Sequence, residues 1–209
     1  MHVFSATSPT LAAVLWPVPA RAGRAVQAGR GLALAVIGSL VLWASAKVQV
    51  PFYPVPMSLQ TLAVLALAMA YGWRLGGLSV MLYLAEGALG LPVFAGTPEK
   101  GLGLAYMMGP TGGYLIGFVV AAVACGMLAE RGWDRGPLTT ASAMLIGNVL
   151  IYVPGLLWLG ALFGWDKPIL AWGLTPFLLG DAVKLALAAA LMPALWRLVA
   201  RFGAGVSMR

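Results

Sequence analysis

The chain holds a single cysteine, Cys125, and a single histidine, His2. One cysteine excludes an internal disulfide, and Cys125 lies mid-segment among small apolar residues, where it reads as packing. A lone histidine at the extreme N-terminus leaves imidazole catalysis and histidine-rich metal sites without a donor. Charge is scarce too: 9% of the 209 residues are charged, against about 25% in an average soluble domain. No run of residues has the order of a nucleotide-binding phosphate loop. What is abundant is apolar surface, at 61% of the residues. No soluble core of this length absorbs that much, so the chain reads as an all-α integral membrane protein built on one domain. Its net charge of +7 would point to nucleic acid in a soluble protein. Here the lysines and arginines sit at segment ends, as in residues that orient a protein in the lipid bilayer, and nucleic acid is set aside.

Six spanning segments are expected. Residues 1–28 form an N-terminal arm, 29–203 the membrane domain and 204–209 a short tail. Leu11–Ala22 resembles a signal peptide with a small-x-small site at Ala20-Arg21-Ala22, but no basic residue precedes its apolar run, and Pro17 and Pro19 interrupt it. The segment is read as a retained cytoplasmic arm or a surface-lying stretch. Arg30 opens the first span, Gly31–Lys47, whose Gly31, Ala35 and Ser39 form one small face suited to close helix approach, within the bundle or with a partner. Pro51, Pro54 and Pro56 cannot continue a helix, so Val48–Met57 reads as an ordered loop able to cover a pocket. Ser58 caps the second segment, Ser58–Tyr71, with Gln60 and Thr61 in its first turn. A tight turn at Gly72–Gly76 leads to the third, Gly77–Leu91, which carries Tyr83 and Glu86 on one face. The fourth runs from the GPTGGY stretch, Gly109–Tyr114, to Ala129. The fifth spans Leu138–Leu162 with a kinking Pro154, and the sixth spans Pro176–Val199. Trp165 and Trp172 in the connection between the last two read as interfacial anchors.

Basic residues on alternate sides of this layout divide nine against three: Arg21, Arg24, Arg30, Arg74, Arg131, Arg135, Arg197, Arg201 and Arg209, against Lys47, Lys100 and Lys167. The rule that cytoplasmic loops carry the excess places both termini inside, in the bacterial cytoplasmic membrane, and the long proline- and aromatic-rich loops outside.

Few residues can carry chemistry. Asp181 and Lys184, i and i+3 on the last segment, share a helix face. They read as a polar anchor for a ligand or as a mutual ion pair that lets both be buried, and ionisable groups inside a span point first to function. Glu86 poses the same alternative without an evident partner. Asn148 and Tyr152 line a cavity or join helices. Phe94, Tyr106, Tyr114 and Trp158 offer aromatic surface to a flat apolar ligand, or packing. The glycines of GPTGGY serve a tight turn and close backbone approach. No cofactor or metal is expected, and any uphill transport would draw its energy from a partner or an ion gradient.

The blocks PVPMSLQT (Pro54–Thr61), YLAEGALGLPVFAG (Tyr83–Gly96), GPTGGYLIGF (Gly109–Phe118) and GDAVK (Gly180–Lys184) resemble the BioY family, biotin-specific substrate-binding subunits of energy-coupling-factor transporters. The resemblance runs from Gly31 to Trp196. It implies six helices, a biotin pocket near the external face, a covering loop after the first helix, and partnership with a membrane subunit and a pair of cytoplasmic ATPases. It also implies that Asp181 and Lys184 bind biotin, with Gln60, Tyr83, Phe94 and Tyr114 as further candidates. Leu178-Leu179 stands where the resemblance leads one to expect a proline beside Gly180. Rival readings are a binding subunit for thiamine or riboflavin, or an intramembrane enzyme. The enzyme needs a nucleophile–base pair or metal ligands the inventory lacks, and a channel needs more polar rings than these residues supply.

Overall fold

The protein is described here by a computed structural model covering residues 8–19 and 21–204. His2, Ala20 and Arg209, with the rest of residues 1–7 and 205–209, lie outside the described residues. Among those described, five helices are long and apolar enough to cross a membrane. The elements are α1 (Leu11–Leu15), α2 (Arg24–Lys47), a hairpin of β1 (Gln49–Val50) and β2 (Met57–Ser58), α3 (Gln60–Ala88), α4 (Gly103–Met107), α5 (Gly112–Ala129), α6 (Pro137–Phe163), α7 (Ile169–Gly173), a 3-10 turn (Thr175–Phe177) and α8 (Leu178–Ala204).

Helix α3 is two arms in one. Gly72 breaks it at φ 79° and ψ 173°, outside helical space and in a region only glycine enters freely. The arms then fold back on each other: Gln60 Nε2 donates to Tyr83 Oη at 2.7 Å, residues that a straight helix would hold far apart. A Cβ on Gly76 would come within 2.8 Å of Ala68 Cα, so glycine also sets the closeness of the arms. The expected five-residue turn is therefore a single broken residue, and Trp73–Gly76 are helical.

Helix α2 begins at Arg24, not Arg30. The apolar window ends at Arg30, but nothing between Arg24 and Gly29 stops a helix, and the polar first turns extend beyond the apolar run. The small face of α2 packs inside the chain. Ala35 and Ser39 are buried, and a Cβ on Gly38 would press into Ser79 Cβ at 2.7 Å, on the second arm of α3. Helix α3 begins at Gln60, with Ser58 Oγ accepting from the Gln60 N–H at 3.3 Å, and ends at Ala88. Helix α8 starts at Leu178, after the 3-10 turn that holds Pro176.

The helices pack α2–α3–α5–α6–α8. The approach of α5 to α6 depends on the glycines of the GPTGGY block and beyond. A Cβ on Gly113 would run into the Pro154 carbonyl oxygen at 2.3 Å and Trp158 Cβ at 2.4 Å, and one on Gly117 would lie 2.7 Å from Ile151 Cα. One end of the bundle gathers α1, Gly72, the turn at 130–136 and Trp196; the other gathers the hairpin and the connections at 89–111 and 164–177.

Candidate functional site

The residues after α2 cannot extend the helix because of Pro51, Pro54 and Pro56. They form instead a two-stranded flap with Gln49 opposite Ser58 and Val50 opposite Met57. Under this flap lies a cavity whose open space, with the solvent at its mouth, is about 560 Å³. The flap contributes Val55, Pro56, Met57 and Ser58 to its lining.

One wall is polar. Lys184 Nζ donates to Asp181 Oδ1 at 2.9 Å, to Thr61 Oγ1 at 2.9 Å and to the Ser58 carbonyl at 2.8 Å. All three ammonium protons are thus engaged. Asp181 Oδ1 also accepts from Thr61 Oγ1 at 3.2 Å, and Oδ2 accepts from Tyr152 Oη. Asp181 and Lys184 are only 5% and 8% exposed. A buried pair holds only when its remaining lone pairs and protons find partners, and Thr61, Tyr152 and Ser58 supply them. The ion-pair and cavity-lining readings therefore coexist: the pair is mutual, and both residues face the cavity.

The remaining walls are aromatic. Phe94 stacks on Tyr106 with centroids 4.8 Å apart and meets Tyr83 edge-on at 5.4 Å. The connection carrying Phe94 is fixed from three sides. Tyr83 Oη donates to the Val93 carbonyl at 3.0 Å, and Tyr106 Oη donates to the Ala95 carbonyl at 2.7 Å. Lys47 Nζ donates to the carbonyls of Phe94 and Thr97, both at 3.2 Å. Burial pushes the Tyr106 phenol above its ordinary pKa, which keeps it a neutral donor. Tyr114 turns its ring to the cavity while its hydroxyl donates to the Gly173 carbonyl at 2.8 Å. Tyr152 stands between Tyr114 and Phe177, with centroids 6.2 and 6.5 Å away.

Of the six residues singled out from sequence, Gln60, Phe94, Tyr114, Asp181 and Lys184 line this cavity. Tyr83 does not. It is fully buried behind Gln60 and Phe94 and acts on the cavity through them. Tyr152 and Tyr106 line it, whereas Asn148 and Trp158 are not among the lining residues, and Trp158 Nε1 donates to the Gly109 carbonyl at 2.9 Å. Glu86 also lies away from the cavity and has a partner after all, accepting from Ser39 Oγ of α2. Thr111, Leu115, Phe118, Ile151 and Phe177 line the cavity without having been expected there. Thr111 sits inside GPTGGY, whose glycines draw attention away from it. The others are apolar residues in apolar segments, and nothing in the sequence separates them from lipid-facing neighbours.

Chemically, the cavity suits a small solute with one hydrogen-bonding head and an otherwise apolar body. The sequence model of the BioY family matches residues 20–201. A biotin transporter BioY of Thermotoga maritima is 36% identical over 164 residues, covering 78% of this chain and 90% of the relative. A probable biotin transporter BioY of Pyrococcus horikoshii is 38% identical over 143 residues, covering 68% and 82%. The fold resembles that of a crystallised S-component for biotin from an ECF-type ABC transporter, with a TM-score of 0.67 at 23% identity over 84% of this chain and 95% of that one. By the extent of these matches, this multi-pass membrane protein belongs to the BioY family.

Proposed function

We propose that this chain takes biotin into the cavity beneath the flap and mediates its uptake across the bacterial cytoplasmic membrane. The observation that carries the reading is the cluster of Asp181, Lys184, Thr61 and Tyr152 on one wall of a cavity that is otherwise aromatic and aliphatic. Biotin has the matching inventory: a planar ureido head with two donors and an acceptor, an apolar thioether ring and chain, and a terminal carboxylate. With Lys184 Nζ and Asp181 Oδ1 2.9 Å apart, the two charges serve one end of the ligand together. Gln60, Phe94 and Tyr114 complete the contact set, with Tyr83 bracing Gln60.

The chain is read as crossing the membrane six times with both termini cytoplasmic. The fold-back of α3 at Gly72 supports the count. The gathering of the arginines at the end opposite the flap supports the orientation. Residues 29–203 constitute the membrane domain, flanked by the N-terminal arm and the short tail. Transport energy comes from an energy-coupling-factor membrane subunit and its pair of cytoplasmic ATPases, a partnership supported by the likeness to an S-component. Biotin enters from the flap end, Val48–Met57 closes over it, and the partners drive its delivery inward.

Equilibrium binding to the purified, detergent-solubilised chain tests this, with thiamine and riboflavin as controls. Tight, selective binding of biotin is expected. Preference for either other vitamin reassigns the substrate, and absence of binding by a folded sample overturns the reading.

A further inference from the structure

The arm before α2 is built into the bundle. Leu11 and Ala12 are 2% and 6% exposed and pack on α3 and α8. Thr10 Oγ1 accepts from the Ala13 N–H at 3.3 Å and caps α1. The Ser8 N–H donates to the Glu130 carbonyl at 2.7 Å. Arg30 reaches back from α2, with Nη2 on the Ala12 carbonyl at 2.6 Å and Nε on the Trp16 carbonyl at 2.7 Å. Its cation thus sits at the α1 C-terminus, where the helix dipole favours it.

Held this way, the segment turns its other edge outward, with Val14, Leu15 and Trp16 39%, 69% and 46% exposed. Two observations say what covers that edge. The chain resumes as α2, which exposes Val26 and Leu32, at 59% and 63%, on either side of the Arg30 that holds the arm. The apolar edge of the arm therefore continues into the lipid-facing surface of a spanning helix. The same end is strongly basic. Among the described residues it carries eight arginines against Glu130 and Asp134, and Asp134 is buried against Trp196. Arg21 and Arg24 are exposed and make no ion pair among the described residues.

We propose that Leu11–Trp16 is an interfacial foot: its Val14–Trp16 edge sits at the headgroup boundary of an anionic leaflet, and Arg21 and Arg24 contact the lipid phosphates. Leucine and tryptophan suit that boundary, and basic residues beside it add attraction for anionic headgroups. Arg30 has a different task, since its donors are spent on the arm itself.

The test is the depth of position 15 in the full chain. A Leu15→Cys, Cys125→Ala variant carries a nitroxide in vesicles of phosphatidylcholine, alone or mixed with phosphatidylglycerol, and its relaxation by oxygen and by a water-soluble nickel chelate is compared. In the mixed vesicles oxygen is expected to dominate. The balance should shift towards nickel in phosphatidylcholine alone, or when Arg21→Gln and Arg24→Gln are added. A label open to nickel in both vesicles overturns the proposal and leaves the edge for a protein partner. Equal depth in both overturns the anionic preference. Should the label disturb the arm, quenching by brominated lipid in the unlabelled protein and in its Trp16→Phe variant decides instead: the variant should lose a quenched component, and equal quenching in the two rejects the foot.

Discussion

Lys184 of α8 donates to the Ser58 carbonyl, the last residue of the flap, at 2.8 Å. The same ammonium holds Asp181 at 2.9 Å and Thr61 at 2.9 Å. One cation therefore joins the polar wall of the cavity to the base of the cover above it. Lys184→Met strips Asp181 of its charge partner and leaves Ser58 without its donor. Breaking one side of a buried pair costs about 3–5 kcal/mol, so the variant should be markedly less stable and lose most biotin affinity. Asp181→Asn, which keeps a hydrogen-bonding group of similar shape, should lose affinity with a smaller loss of stability. Thermal unfolding and equilibrium binding on the two variants check this. If both fold and bind biotin unchanged, the polar wall is not the ligand's anchor.

Phe94 fills the space between Tyr83 and Tyr106 and is 1% exposed. Truncation to alanine removes a stacked ring and opens a hole, a change that costs about 3–5 kcal/mol in well-packed cores. Lys47→Met leaves the ring but frees the Phe94 and Thr97 carbonyls from their shared donor. Phe94→Ala should therefore lower both stability and affinity, while Lys47→Met should raise the biotin off-rate more than it lowers the melting temperature. An off-rate unchanged by Lys47→Met would mean that the connection at 89–102 holds its shape without the lysine.

These two regions show what was legible in the sequence. The flap was readable because three prolines forbid a helix, and the Asp181–Lys184 pair because charge is so rare here. Gln60 and Thr61 followed from the start of the segment after the flap. Phe118, Ile151 and Phe177 were not readable, because in a membrane protein lipid-facing and cavity-facing positions share one apolar alphabet. Tyr83 reads from the resemblance as a ligand contact, whereas it stands behind Gln60, a place that depends on the fold-back at Gly72, a tertiary relation. The Glu86–Ser39 contact joins residues 47 positions apart and leaves no local signature. The docking of α1 rests on Arg30, which reads from sequence only as a charge at the end of an apolar run.

Gly117 lies where α5 crosses α6, and a Cβ there would be 2.7 Å from Ile151 Cα. Backbone cannot yield as a flexible side chain does, so Gly117→Ala must push the helices apart, with an overpacking cost of about 1–3 kcal/mol. Tyr114 and Tyr152 ride on those two helices, and affinity should fall with stability. Gly29→Ala in α2 is the contrast: its added Cβ meets nothing within 4 Å, and alanine is the better helix former by about 1 kcal/mol. It should leave binding unchanged and the melting temperature equal or higher. A Gly117→Ala protein as stable as Gly29→Ala would refute the close-approach role.

Asp134 supplies the pH dependence. It is 1% exposed in the turn between α5 and α6, with Oδ2 accepting from Trp196 Nε1 at 2.5 Å and Oδ1 without a partner among the described residues. Burial pushes its pKa up, only partly opposed by the Trp196 donor, its own backbone N–H and the Arg135 charge. A raised acid pKa means that the folded state holds the proton more tightly than the unfolded chain. This group's contribution to stability is therefore fullest below the unfolded pKa, falls as pH climbs from there through the raised folded value, and is level above it. Asp134→Asn keeps an acceptor for Trp196 and removes the titration. Its unfolding midpoint should no longer fall across that acidic window, and near neutral pH it should equal or exceed the wild type, since no buried charge remains to be desolvated. A wild type that gains stability through the same window, with Asp134→Asn less stable at neutral pH, would identify Asp134 as a stabilised carboxylate.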